Sequence, residues 1–321
     1  MSARIHCAIL DDYQNVALSF ADWSPLRDRV EIQVLSQHIA DETQLAAAIA
    51  DAEIVIIMRE RTPFNASLFA RLPKLKLLIT SGMRNASVDM AAAKSYGVTV
   101  CGTGSSGSAP VELTWALILG LARHLIEENT SLRHDGPWQS TVGFGLSGKR
   151  LGLIGLGKMG QKMAVIAQAF GMHVVAWSQN LTAERAALCG VDFADSKEAL
   201  LANSDVVSIH LVLSERTRGL LDAADLALMK SSALLINTSR AAIVDQPALI
   251  AALEAGSIGG AGLDVFDVEP LPAGHPLRTL HNVLSTPHLG YVADGNYQTY
   301  FTEAVENIEA FLAGEPLRVL S

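Results

Sequence analysis

Arg240 lies in Ile236-Asn-Thr-Ser-Arg240, Glu269 in Asp264-Val-Phe-Asp-Val-Glu-Pro270, and His288 in Ser285-Thr-Pro-His-Leu-Gly-Tyr291. A guanidinium, a carboxylate and an imidazole are the groups that carbonyl reduction asks of a protein. The guanidinium holds a substrate carboxylate and polarises the neighbouring keto oxygen. The imidazole donates or takes the proton on that oxygen, and a titration near neutrality suits both directions. The carboxylate fixes the ring tautomer and steadies the imidazolium. Each residue alone has a plainer reading: a helix-end ion pair, a loop carboxylate before Pro270, a capping histidine. Their placement after three successive strands is what joins them into one site.

Upstream stands Gly155-Leu156-Gly157-Lys158-Met159-Gly160, between an apolar strand (150–154) and a helical stretch (159–170). In that setting the first glycine makes a tight turn and the second lets backbone approach a pyrophosphate. The third lets helix and strand pack closely, and the helix N-terminus supplies free N–H groups. The next strand, His173–Trp177, ends on Ser178-Gln179-Asn180, where an acid would bind ribose hydroxyls. No carboxylate is there to repel a 2′-phosphate, and no arginine stands there to attract one; the nearest in sequence is Arg185. NAD or NADP remains open, with a lean to NAD because a dianionic phosphate wants a cation.

These residues need a scaffold, and the chain spells one out. Its 321 residues suffice for about two domains of ~150 residues, and half of them are hydrophobic. Apolar runs at 5–10, 30–35, 54–58, 77–81 and 98–101 alternate with helical spacing at 41–50, 65–71 and 90–96. Strand–helix alternation means parallel pairing with helices on both faces. A second series of strands follows at 150–154, 173–177, 206–210, 233–237, 260–263 and 283–285. The helix at 246–255 has Asp245 as N-cap, Pro247 in its first turn and Gly256 as its stop. Thr103–Pro110 is a small-residue connector, followed by an apolar helix at 111–126. An amphipathic helix at 297–312 should return to the first unit, and two crossings imply a hinge over a cleft. The fold expected is α/β, with two doubly wound parallel-sheet domains and a Rossmann-type cofactor domain inserted in a flavodoxin-like substrate domain. The boundaries expected are 1–102 with 293–321 for the substrate domain and 103–292 for the cofactor domain.

Composition narrows the partners. Net charge is −9, from 24 cationic and 33 anionic residues, with no basic cluster. Nucleic acid and anionic membranes are poor partners for such a chain. No apolar run is long enough to span a bilayer, and residues 1–10 read as a first strand rather than a signal peptide. Cys7, Cys101 and Cys189 are sparse and odd in number, which fits reduced thiols and a cytoplasmic setting. His275, His281 and His288 lack ligand spacing, so no metal is expected. Met58-Arg59-Glu60-Arg61 follows a strand of the first unit. Arg59, Arg61 or Arg84 could meet a second anionic group on a substrate.

With these motifs the chain resembles the D-isomer-specific 2-hydroxyacid dehydrogenases over almost its whole length. The likeness rests on Gly155-x-Gly157-x-x-Gly160, Asn237-Thr-Ser-Arg240, Gly262-Leu-Asp264-Val-Phe-Asp-Val-Glu269-Pro270 and Pro287-His288-Leu-Gly290. It implies a NAD(P)-dependent exchange of hydride between a D-2-hydroxy acid and its 2-keto acid. Arg240 would bind substrate, His288 would act as acid/base, and Glu269 would support it. It implies Asp264 near the nicotinamide carboxamide, with His210, Leu211, Thr217, Thr238, Ser239 and Gly290 lining the cofactor beside Ser178 and Gln179. It makes Ser81-Gly82-Met83 a substrate loop whose backbone N–H groups take the carboxylate. Dimers are the expected assembly. Ser87 stands where Asn or His is more usual. Glu269 rather than glutamine separates the chain from the formate dehydrogenases. Glyoxylate, hydroxypyruvate and 3-phosphoglycerate are candidate substrates. Phosphite, or a role as a dinucleotide-sensing corepressor, are the alternatives.

Overall fold

The computed structural model describes residues 4–320 and divides into two compact units. Residues 1–3 of the expected first strand lie outside the described residues. One unit runs to Ser106 and resumes at Val292; the other is Gly107–Tyr291. The changeovers fall at 106/107 and 291/292 rather than 102/103 and 292/293. The first unit holds the connector beyond residue 102: Gly104 N–H donates to Glu303 (2.6 Å) and Ser106 N–H to Asn296 (2.8 Å).

The first unit contains β1 (Ile5–Ile9), β2 (Val30–Val34), α1 (Glu42–Ala48), β3 (Ile54–Ile57), α2 (Ala66–Arg71), β4 (Leu77–Thr80), α3 (Met90–Ser95) and β5 (Thr99–Gly102). Its sheet is all parallel, in the order β2-β1-β3-β4-β5. That is the flavodoxin-like order. β3, Ile-Val-Ile-Ile, and β4, Leu-Leu-Ile-Thr, are buried along their whole lengths, as strands covered on both faces must be. Asp41, Asn65 and Asp89 cap the three helices by accepting N–H groups of their first turns.

The second unit begins with α4 (Ala109–Ala122) and α5 (Leu125–Arg133). It continues through β6 (Arg150–Ile154), α6 (Lys158–Ala169), β7 (His173–Trp177), α7 (Ala183–Leu188), β8 (Asp192–Phe193), α8 (Lys197–Asn203) and β9 (Val206–Ile209). It ends with α9 (Ala223–Leu228), β10 (Leu234–Asn237), α10 (Gln246–Glu254), β11 (Gly260–Leu263) and β12 (Val283–Ser285). The parallel sheet order β12-β11-β10-β9-β6-β7-β8 is the Rossmann order with an added edge strand. β8, absent from the strands expected, is two residues long and leaves no sequence pattern to read. The single helix expected at 111–126 is broken instead: His124 takes a left-handed φ of 49° between α4 and α5. α4 buries Val111, Trp115, Leu117 and Ile118. Within its unit it packs on β10, β11 and β12. α5 buries nothing.

The last helix, α11 (Asp294–Leu312), belongs to the first unit. Asn307, fully buried on it, donates to Gly102 O at the end of β5 and accepts from Arg318 (both 2.9 Å). Among the described residues no single helix is long and apolar enough to cross a membrane; α4 and α5 pass only as a bent pair.

Candidate active site

The glycine turn sits at the C-terminal end of β6, the edge where doubly wound sheets bind ligands. Gly155 has φ +106° and donates to Trp177 O (2.8 Å). A Cβ there would lie 2.6 Å from His210 O, so the turn tolerates no side chain. A Cβ on Gly160 would lie 2.2 Å from Gly155 O, which shows how closely α6 sits on the turn. Gly157 differs: a Cβ there meets nothing within 4 Å. Gly157 is also the N-cap of α6 and offers no side-chain cap. A twelve-residue helix thus starts on an uncapped glycine with open space beside it, which fits a pyrophosphate. Lys158 is exposed and Met159 half-buried, while the Leu156 side chain packs into the core beneath.

Most of the other expected cofactor contacts stand at neighbouring strand ends. Ser178 is half-buried after β7, and Gln179 is exposed. His210 follows β9. Its N–H bonds Ile154 O, and its Nε2 lies 2.9 Å from Ser208 Oγ. Burial pushes its pKa down to about 4, so it stays neutral at neutral pH. Leu211 packs against the core. Thr217 turns its hydroxyl back onto Val212 O (2.8 Å) and accepts Ser214 N–H (2.8 Å), so it braces the loop after β9. Thr238 Oγ1 lies 2.8 Å from Thr114 Oγ1 on α4, and Ser239 Oγ donates to Ile209 O (2.7 Å). These two hydroxyls hold β10 to its neighbours.

The trio follows the next three strands. After β10, buried Asn237 donates to Arg240 O (3.0 Å) and accepts Ser239 N–H (3.0 Å), closing the turn that carries Arg240. Arg240 Nη1 donates to Ser239 O at 2.7 Å. Glu269 is reached six residues beyond β11, and its Oε1 accepts Phe266 N–H at 2.8 Å. Its Oε2 lies 2.7 Å from His288 Nδ1, with both side chains half-buried. His288 itself has a left-handed φ of 54°, rare for a residue with a side chain, and its ring meets Tyr291 edge-on.

What holds His288 in that conformation is Asp264, at the end of β11 and almost wholly buried. Its Oδ1 accepts Thr286 Oγ1 and Leu289 N–H (both 2.6 Å), and its Oδ2 accepts Gly290 N–H (2.8 Å). Burial pushes its carboxyl up, against the opposing pull of the Thr286 hydroxyl, His288 and the two N–H groups. The resemblance set Asp264 beside the cofactor; in the fold both its oxygens are turned to the 286–290 turn. Gly290 follows from the same packing, since a Cβ there would lie 3.1 Å from Asp264 Oδ2.

In the first unit, Ser81-Gly82-Met83 follows β4. Ser81 N–H donates to Ile57 O (3.1 Å) and Gly82 N–H to Thr103 Oγ1 (2.9 Å). Two of the three N–H groups expected to take a carboxylate therefore already have protein acceptors, because the loop is tied to β3 and to the end of β5. Met83 is about half exposed. Arg59, at φ +53°, donates its N–H to Ser81 Oγ (2.8 Å) and its Nη1 to Ser81 O (3.3 Å). Its guanidinium fills the space a side chain on Gly82 would occupy. Asn85 donates to Arg59 O and Thr80 Oγ1 and accepts from Ser87, so serine at 87 serves this loop through its hydroxyl. No cluster of three or more potential metal ligands occurs among the described residues.

Comparison with known proteins gives the family. The model of the D-isomer-specific 2-hydroxyacid dehydrogenase NAD-binding domain matches residues 115–290. The chain belongs to the D-isomer-specific 2-hydroxyacid dehydrogenase family. Its reaction class is the nicotinamide-dependent interconversion of a D-2-hydroxy acid and its 2-keto acid, with NAD or NADP as cofactor. A glyoxylate reductase of Aeropyrum pernix is 35% identical over 85% of this chain and 84% of its own. A D-3-phosphoglycerate dehydrogenase of Mycobacterium leprae is 36% identical over 90% of this chain but 54% of its own, so the chain spans about half of that relative. A phosphoglycerate oxidoreductase of Vibrio cholerae superposes with TM-score 0.92 at 39% identity, covering 97% of this chain and 99% of that one. Neither phosphite nor a corepressor role is favoured by these likenesses.

Within this dehydrogenase the anchoring role of Asp264 is testable. Asp264→Ala strands a hydroxyl and two N–H groups. It is expected to cost about 2–3 kcal/mol in urea unfolding and to depress turnover more than dinucleotide affinity. An unchanged urea midpoint would show that the 286–290 turn is held by something else.

Proposed function

We propose that His288 is the proton donor and acceptor of the reaction, with its Nε2 as the working atom. The observation that carries this is the 2.7 Å contact of Nδ1 with Glu269 Oε2. A carboxylate at that distance keeps the proton on Nδ1, leaving Nε2 for the substrate oxygen. Glu269 stabilises the imidazolium that forms when Nε2 takes a proton from a hydroxy acid. Its second oxygen is occupied by Phe266 N–H, so the carboxylate cannot swing away. Arg240 pairs with the substrate carboxylate and draws electron density from the keto oxygen. When bound, the nicotinamide supplies hydride to the carbonyl carbon or takes it back.

The substrates proposed are short 2-keto acids such as glyoxylate and hydroxypyruvate. A reducing, cytoplasmic setting suits the three free cysteines. A homodimer is supported by α5 and the segment after it, where Leu125, Ile126, Leu132, Trp138 and Val142 are all more than half exposed.

In a screen of NADH and NADPH with short 2-keto acids and phosphohydroxypyruvate, the parent should oxidise the cofactor. His288→Asn should lose about 10²–10⁴-fold in kcat while still binding cofactor, and Arg240→Ala should mainly raise KM for the keto acid. A His288→Asn enzyme as fast as the parent, or unchanged KM and kcat in Arg240→Ala, would contradict these roles. By light scattering the parent should be a dimer and Ile126→Asp a monomer; a monomeric parent would remove the assembly proposal.

A further inference from the structure

Ser178 directly follows Trp177, whose carbonyl accepts Gly155 N–H, so it stands immediately beside the glycine turn. The second strand of a dinucleotide fold ends at the adenosine ribose, and a carboxylate there selects NAD by bonding the 2′-hydroxyl and repelling a 2′-phosphate. Residues 178–182, Ser-Gln-Asn-Leu-Thr, contain none. The first carboxylate beyond them, Glu184, is engaged by its own backbone N–H and by Thr182 at the start of α7, and its carboxyl is lowered accordingly. From the sequence the corner also lacks a cation. The fold supplies one. Arg216, 36 residues further on in the loop after β9, places Nη2 3.4 Å from Asn180 Oδ1. Gln179 Nε2 donates to Arg216 O at 3.1 Å, tying the two loops together. The hydroxyls of Ser214 and Thr217, 3.1 Å apart, stiffen the same loop.

We infer that Ser178, Asn180 and Arg216 form a 2′-phosphate subsite and that this dehydrogenase binds NADP(H) in preference to NAD(H). The inference rests on the reading of the 155–160 turn as a dinucleotide site. A guanidinium has five N–H donors in a fixed fork, and its contact with Asn180 employs one of its nitrogens. The remaining donors suit the dianionic oxygens of a phosphate. The Ser178 hydroxyl adds a donor without charge. Gln179 acts as a positioning residue, because it holds the backbone of Arg216 rather than the ligand.

The test is equilibrium binding to the intact protein without substrate. NADPH and NADH are titrated by fluorescence, and 2′,5′-ADP and 5′-AMP by calorimetry. NADPH should bind about tenfold or more tightly than NADH. 2′,5′-ADP should likewise exceed 5′-AMP. Rising salt should weaken NADPH more steeply than NADH, since the added contact is between exposed charges. Arg216→Ala, a change on the surface, should bring NADPH to the level of NADH, and Ser178→Asp should favour NADH. NADH binding as tightly as NADPH, or Arg216→Ala weakening both alike, overturns the inference while leaving the dinucleotide site in place. Binding of neither dinucleotide overturns both.

Discussion

One buried carboxylate orders the turn that carries His288 in this dehydrogenase. Asp264 accepts from Thr286, Leu289 and Gly290, the residues on either side of His288. Backbone geometry alone would not keep a histidine at φ +54°. Three hydrogen bonds to a buried anion, each stronger than a neutral pair, offset that strain. Asp264 N–H in turn bonds Asn237 O. Asn237 closes the turn that carries Arg240, so the turns bearing the guanidinium and the imidazole share a single frame. Glu269 then meets the ring itself, at Nδ1.

The same economy governs the cofactor side. Gly155 and Gly160 are bare because backbone lies against them, whereas Gly157 is bare over open space. The neighbouring hydroxyls, Thr217, Thr238 and Ser239, bond inward to the protein. These hydroxyls brace the strand ends around the turn.

Much of this was legible in the sequence because it is local. The strand–turn–helix around Gly155 is a run of contiguous residues, and Arg240 and His288 sit within three residues of strand ends that the apolar runs mark. Other features depend on contacts that no spacing reveals. The bonds from the 286–290 turn to Asp264 span 22–26 residues, and Arg216 reaches Asn180 across 36. β8 is too short to carry a period. The break at His124 is masked because Leu125 and Ile126 continue the apolar run of α4, yet they are 54% and 61% exposed. The loop of Ser81 and Gly82 reads as a set of open donors until the fold shows Ile57 and Thr103 taking two of them.

The central claim is that Glu269 and the Asp264-anchored turn fix the His288 ring so that Nε2 does the proton transfer. Nitrogen-15 NMR of the histidine side chains, with His288 assigned by its loss in His288→Gln, reads the tautomer directly. The neutral ring should carry its proton on Nδ1, with a downfield Nδ1–H signal that disappears in Glu269→Ala. A His288 ring protonated on Nε2, or rapidly averaging between the two nitrogens in the parent, would contradict the account.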